Sequence, residues 1–581
     1  MSRIRLCLLA TACLALMGAA AAQADDPSPA GKTADKPHAS TSSPDQEAQK
    51  QADKDKGDHD DDVSEHAGTM TSIYFKPDAQ GSDGSVNIGG KTVDYHAIVG
   101  TLVVHPRDYD DAPQKPDTGD KPTGDQSSPG GEHNPTAEAA MSYVAYFAKG
   151  ADAATRPIMF LYNGGPGSST VWLHMGAFGP RRVVTLDDQH SPAAPYELVN
   201  NDGSLLDVAD LVFIDAPGTG FGRIAGPNKE KAFWGVDPDA HAFTDFITQF
   251  ISKYSRWNSP KYLFGESYGT TRTANVINLL ETERDVDFNG VIMLSQILNF
   301  DMSVDGPEYN PGIDEPYITA LPTYAATAWY HKKLSPMPDS LKPFLTEVEN
   351  FALFDYVQAL VYGNTLPHDD RAHIAEKLHD YTGLPISYIN KANLRIDGGE
   401  FEKNLQDSTD TTTGRLDTRF SGPSMDPLSK EADYDPQSAA ISSAYVSAFN
   451  EYVRHDLHFG EGRIYKAEID VGRNWTFTHV PPGASEPVGG GVNVMPDLAA
   501  AMKYDPNLKV MVNGGVYDLA TPYFAAVWEL RHLQIPEKLM DNIEFHTYES
   551  GHMVYAHLPA LKELHDNVAA FITKTDNVQK K

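Results

Sequence analysis

The pentapeptide Gly265-Glu266-Ser267-Tyr268-Gly269 constrains this chain more than any other stretch. An apolar triplet, Tyr262-Leu263-Phe264, runs directly into it, and a helix-patterned stretch, Thr270 to Leu280, runs directly out. A strand that becomes a helix within five residues needs a turn too tight for side chains beside its apex, and the two glycines supply that freedom. The serine at the apex is lifted clear of the sheet, with its hydroxyl exposed at the carboxyl end of the strand. G-x-S-x-G is common by chance; the strand before it and the helix after it make it a nucleophile-bearing turn.

The rest of the chain repeats the strand-helix alternation. Val86 to Ile88, Gly89-Gly90 and Lys91 to Val104 read as a hairpin and a strand. Met141 to Phe147, Pro157 to Tyr162, Asp210 to Ile214, Val291 to Leu294 and Val510 to Val512 read as further strands. Pro238 to Tyr254 carries apolar residues at helical spacing, with Asp237 placed to cap it and Pro238 at its first position. Such alternation implies a mostly parallel sheet.

A serine hydroxyl needs a base to take its proton. Two later strand ends offer the partners. Val510 to Gly515 leads to Asp518, and Ile543 to Tyr548 leads through Glu549-Ser550-Gly551 to His552. The order Ser267, Asp518, His552, each after a strand, is that of the α/β-hydrolase fold. In that arrangement His552 accepts the proton of Ser267 and Asp518 holds the imidazole in its working tautomer. A glycine-rich turn, Asn163-Gly164-Gly165-Pro166-Gly167-Ser168-Ser169, follows the strand at Tyr162. The N–H groups of Gly165 and Tyr268 are the candidate oxyanion donors. A phosphate-binding loop is the rival reading of these glycines, and it fails for want of a Gly-Lys-Ser/Thr ending.

Together these segments resemble the serine carboxypeptidases, whose members carry N-G-G-P-G-x-S-S, G-E-S-Y-G, G-x-x-D and G-H-M-V. The matching residues begin at Asn163, Gly265, Gly515 and Gly551, with Thr170 in place of the last serine of the turn. Asp215 to Gly222 is close to the family's D-x-P-x-G-x-G-F-S segment, and the resemblance spans roughly residues 85 to 570. It implies that Asn163 and Glu266 bind the carboxylate of a peptide C-terminus. It also implies a second glutamate paired with the first, but Ala177 stands in its place, leaving His174, Arg181 and Arg182 as candidate replacements. Leu161 replaces a tryptophan and Ser168 a cysteine. Peptides are the substrates this implies. An esterase or acyltransferase on the same triad is the alternative, because acyl-enzyme chemistry is common to all three.

Composition frames the rest. The 581 residues are 40% hydrophobic, enough for a large core. A formal net charge of -33 argues against nucleic acid as a partner. Arg3, Arg5, the apolar stretch Leu6 to Ala22 and Ala22-Gln23-Ala24 read as a signal peptide over residues 1–24, so a periplasmic or secreted protein is expected, with no membrane span. Cys7 and Cys13 fall inside it, leaving no cysteine for disulfides. Residues 25–68 read as disordered and acidic, and Asp58-His59-Asp60-Asp61-Asp62 as a solvated charge run rather than a metal site. Residues 69–299 and 501–581 read as the two parts of the hydrolase core, with a mobile insertion at about 106–136. Residues 300–500, too long for a connection, read as a largely helical cap in which Pro316, Tyr317 and Trp329 are candidate pocket residues. No metal or other cofactor is expected.

Overall fold

The computed structural model describes residues 72–107, 109 and 137–578. The stretches read as a signal peptide (1–24) and an acidic segment (25–68), both cysteines and nearly all of the expected insertion at about 106–136 lie outside these residues.

The spine of the fold is a ten-stranded sheet. Across it the strands run Ala79–Ile88, Lys91–Val104, Glu138–Ala148, Asp210–Ile214, Ile158–Tyr162, Lys261–Glu266, Gly290–Leu294, Lys509–Gly515 and Ile543–Tyr548, with Arg223–Ala225 paired to Glu138–Ala148. The first three pairings are antiparallel; from Asp210–Ile214 onward all are parallel. This is the α/β-hydrolase fold, recognised by its mostly parallel sheet and the helices that cross it.

Side chains alternate across the central strands, as the period of two requires. Met159, Leu161, Tyr262, Phe264, Ile292 and Leu294 enter one apolar cluster. Ile158, Phe160, Tyr162, Leu263, Val291 and Met293 enter another. Both faces are covered, which explains why these strands read as unbroken apolar runs. Helices Val236–Lys253, Tyr268–Arg284 and Met495–Tyr504 feed the second cluster, and Leu558–Thr575 feeds the first.

Val236–Lys253 corrects one local expectation. Its N-cap is Gly235, and Asp237 caps nothing. The Asp237 carboxylate is taken by His479, with Nδ1 2.6 Å from Oδ1, and by the Val480 N–H at 3.1 Å.

Between residues 300 and 500 the helices Glu315–Tyr330, Leu341–Phe351, His368–Thr382 and Gly398–Asn404 share an apolar cluster of their own, which also takes in Tyr517 and Phe524. Helix Pro436–His455 instead packs into the cluster beneath the sheet through Ile441, Tyr445, Phe449 and Tyr452. Met495–Tyr504 straddles residue 500 and lies against Tyr268–Arg284. Among the described residues no helix is long and apolar enough to cross a membrane.

Candidate active site

Lys261–Glu266 lies mid-sheet and ends one residue before Ser267, which opens the helix Tyr268–Arg284. Ser267 has φ 60° and ψ -130°, a conformation that ordinary residues adopt only where the surroundings impose it. The imposition is visible. The Ser267 N–H donates to the Leu294 carbonyl at 3.0 Å, and its own carbonyl accepts from the Thr270 N–H at 2.8 Å. A Cβ on Gly265 would lie 2.3 Å from the Gly269 carbonyl oxygen, so this turn closes only around glycine.

Asp518 and His552 follow the last two strands of the sheet, Lys509–Gly515 and Ile543–Tyr548. Nδ1 of His552 is 2.9 Å from Oδ2 of Asp518. The Thr521 N–H and hydroxyl both donate to that carboxylate, at 3.0 and 2.8 Å, so both of its oxygens are engaged. The histidine is pinned through its backbone as well. Its N–H donates to the Leu416 carbonyl at 2.6 Å, and its carbonyl accepts from the Ser295 hydroxyl at 2.7 Å. Burial disfavours the imidazolium, but the neighbouring Asp518 carboxylate, helped by Glu266, outweighs it and raises the His552 pKa. Ser267 and His552 line one hollow of about 200 Å³, together with Asn163, Gly164, Gly165 and Glu266.

The glycine-rich turn lies against the serine turn. A Cβ on Gly164 would come within 2.4 Å of the Tyr268 backbone nitrogen. Gly165 adopts φ +102°, and Tyr268 starts its helix, where an N–H has no intrahelical acceptor. The two candidate oxyanion donors therefore flank the same small space. The turn is braced by parts of the chain that no motif announced. Ser169 N–H donates to the Ala467 carbonyl at 2.8 Å, and Ile469 N–H to the Gly167 carbonyl at 2.9 Å. Buried Asp215 accepts from Thr170 N–H at 3.0 Å and from the Tyr465 hydroxyl at 3.1 Å.

Residues 132–303 match the family model described as serine carboxypeptidase. Over that segment the chain is similar to the serine carboxypeptidases. The matched segment holds Asn163, Gly165, Glu266, Ser267 and Tyr268, while Asp518 and His552 lie beyond it. Among solved structures the chain is similar to a prohormone-processing carboxypeptidase from Saccharomyces cerevisiae, at 16% identity, 83% coverage of this chain, 92% of that chain and a TM-score of 0.48. It is also similar to a proline iminopeptidase from Mycobacterium smegmatis, at 12% identity, 85% and 99% coverage and a TM-score of 0.30. An esterase from Thermogutta terrifontis gives 11% identity, 76% and 95% coverage and a TM-score of 0.29. The fold assignment rests on the strand order above rather than on these distant likenesses. A search of curated protein sequences finds no match.

The chain departs from the serine carboxypeptidase pattern at the carboxyl group next to Ser267. Glu266 is buried, and its Oε2 accepts from the Asn163 side-chain amide at 2.8 Å. Leu173 N–H donates to Asn163 Oδ1 at 3.1 Å, which fixes that amide's orientation. Where a second glutamate was expected, the partner is Tyr555. Its hydroxyl lies 3.1 and 2.9 Å from the two Glu266 oxygens. Room for the ring comes from Gly176, where a Cβ would sit 2.6 Å from the Tyr555 ring.

None of the three polar candidates fills this role. His174 is buried against Phe213, its Nε2 is 2.7 Å from the Tyr146 hydroxyl, and burial pushes its pKa down to about 3. Arg181 and Arg182 sit in the short strand Arg181–Val183, and Arg182 donates to the Val183 carbonyl at 3.1 Å. Burial raises Glu266 to about 7, against the lowering influence of His552, Tyr555 and Asn163. The missing second glutamate therefore does not leave Glu266 an ordinary acid, because desolvation, with a smaller push from the Asp518 charge, favours its protonated form.

The expected pocket aromatics lie elsewhere. Tyr317 is buried among the insertion helices, and Trp329 donates to the Pro338 carbonyl at 3.1 Å. The aromatic wall of the hollow is Trp172.

Proposed function

We propose that this is an exported serine-type carboxypeptidase, removing C-terminal residues from peptides through an acyl-enzyme on Ser267. The observation that carries the reading is one small hollow. It combines a serine at a strained turn, a histidine backed by a carboxylate, the glycine-rich turn at Gly164 and Gly165, and a buried carboxyl group whose pKa is raised to about 7.

The chemistry follows from those positions. His552 takes the proton of Ser267 as its oxygen bonds to the scissile carbonyl carbon. The carbonyl oxygen becomes an oxyanion beside Gly165 and Tyr268 N–H. The C–N bond then breaks, His552 returns the proton to the departing amine, and water repeats the cycle on the ester. A peptide's terminal carboxylate is repelled by ionised Glu266 but accepts a hydrogen bond from the protonated acid and from the Asn163 amide. Export rests on the signal-like residues 1–24, and the 300–500 helices serve in this reading as a cap over the crevice.

Blocked dipeptides with a free or amidated C-terminus, assayed beside aryl esters, test the proposal. Cleavage confined to free carboxylates is expected. Equal rates on amidated peptides, or turnover of esters alone, would shift the assignment to an endopeptidase or esterase.

A further inference from the structure

Arg415 belongs to the inserted region but lines the same hollow as Ser267 and Glu266. Its backbone is fixed: the Arg415 and Leu416 N–H groups donate to Asp435 Oδ1 at 2.7 and 3.1 Å, and the Leu416 carbonyl holds the His552 N–H. Its guanidinium plane is fixed too. Nε donates to Asp305 Oδ1 at 3.0 Å and Nη2 donates to Asp305 Oδ2. Those contacts occupy one edge of the fork and leave Nη1, which has no hydrogen-bond partner among the described residues. The side chain is 35% exposed, and that of Asp305 is 52% exposed, so water screens the pair's mutual attraction.

No other arginine or lysine among the described residues lines the hollow. The acids lining the hollow, Glu266 and Glu468, both have pKa values raised by burial, and Arg415 also feels the charges of Asp305, Glu402 and Asp518. An arginine serving only to anchor its segment needs no free N–H at the crevice. A guanidinium held by one carboxylate, in a side chain that lines the hollow, is preorganised for a second.

We infer that Arg415 binds a side-chain carboxylate on the substrate's last residue, making peptides that end in Asp or Glu the preferred class. The inference rests on the carboxypeptidase reading, in which Asn163 and Glu266 take the terminal carboxylate. A hollow of about 200 Å³ accommodates one residue, whose only other anionic group is its side chain.

The test is calorimetric binding of N-acetylglutamate, N-acetylglutamine and N-acetylglutamate α-amide at about pH 6, where Glu266 is protonated. Wild type is expected to bind N-acetylglutamate roughly tenfold or more tighter than N-acetylglutamine, the scale of one charge-assisted hydrogen bond. Arg415→Gln should erase that ratio and Arg415→Lys should keep part of it. Fluorophosphonate labelling of Ser267 verifies that each variant is folded. Equal wild-type affinities, or a ratio that survives Arg415→Gln, would overturn the inference. So would a variant that weakens both acids equally while the α-amide fails to bind wild type, because Arg415 would then read the terminal carboxylate. Peptide turnover separates the two readings. Cleavage without a Glu preference removes the Arg415 role alone, whereas the binding ratio without cleavage removes the peptidase reading alone.

Discussion

The two ends of the crevice each bury a carboxylate, and they use it in opposite ways. Asp518 faces an imidazole, so when His552 becomes a cation the charges pair. Glu266 has neutral partners at hydrogen-bond distance, Asn163 and Tyr555, and burial drives it toward the protonated form. A buried acid beside a group that can become positive can work as an anion. One beside neutral donors works as an acid near neutrality. The first end suits proton transfer, and the second suits a ligand that is itself an anion.

Ser267→Ala tests the shared nucleophile and should produce the largest effect, a loss of roughly 10,000-fold or more in kcat with the fold intact. A fluorophosphonate should label wild type at Ser267 and leave the variant unlabelled; residual labelling elsewhere would break the assignment. Asp518→Asn should cost about 10,000-fold for peptides and esters alike, because it removes the anion that orients His552. Combined with Ser267→Ala it should add almost nothing, which steady-state kinetics on the double variant will check.

Glu266→Gln separates the two ends. If protonated Glu266 donates to the substrate carboxylate, as proposed, kcat/KM for free-carboxylate peptides should fall as pH rises through about 7. Ester hydrolysis, which needs neutral His552, should persist upward. The glutamine variant should lose the alkaline fall for peptides and scarcely alter esters; identical profiles in both proteins would show that Glu266 does not read the carboxylate. Tyr555→Phe should act more gently. The phenol donates to Glu266 and favours its ionised form, so removing it should raise the Glu266 pKa and move the alkaline limb upward, with a severalfold change in KM on the order of one hydrogen bond. A downward shift would reverse the role given to Tyr555.

The smallest effect is on stability. His479 lies between Asp237 and Asp497, with its nitrogens 2.6 and 2.7 Å from them; burial opposes its charge, but the two carboxylates prevail and raise its pKa to about 9. A raised folded-state pKa gives stability that is complete below the unfolded value and lost as pH climbs toward 9. The melting midpoint should therefore decline between about pH 6.5 and 9. His479→Gln should flatten that decline and lower the midpoint on the order of 2 °C at pH 6.

Sequence by itself determined the features that repeat or sit at strand ends. The parallel strands were legible because burial on both faces forces continuous apolar runs such as Ile158–Tyr162 and Gly290–Leu294. The serine turn was legible because only glycine permits its backbone, and the order Ser267, Asp518, His552 because successive parallel strands deliver their ends to one edge. The tertiary structure alone decided the partners. Tyr555 meets Glu266 from 289 positions away, His479 takes Asp237 from its expected cap, and Ala467 to Ile469 brace the glycine turn. Such contacts leave no periodicity in the chain, because each depends on where a folded surface brings one side chain and not on the pattern of its neighbours in sequence.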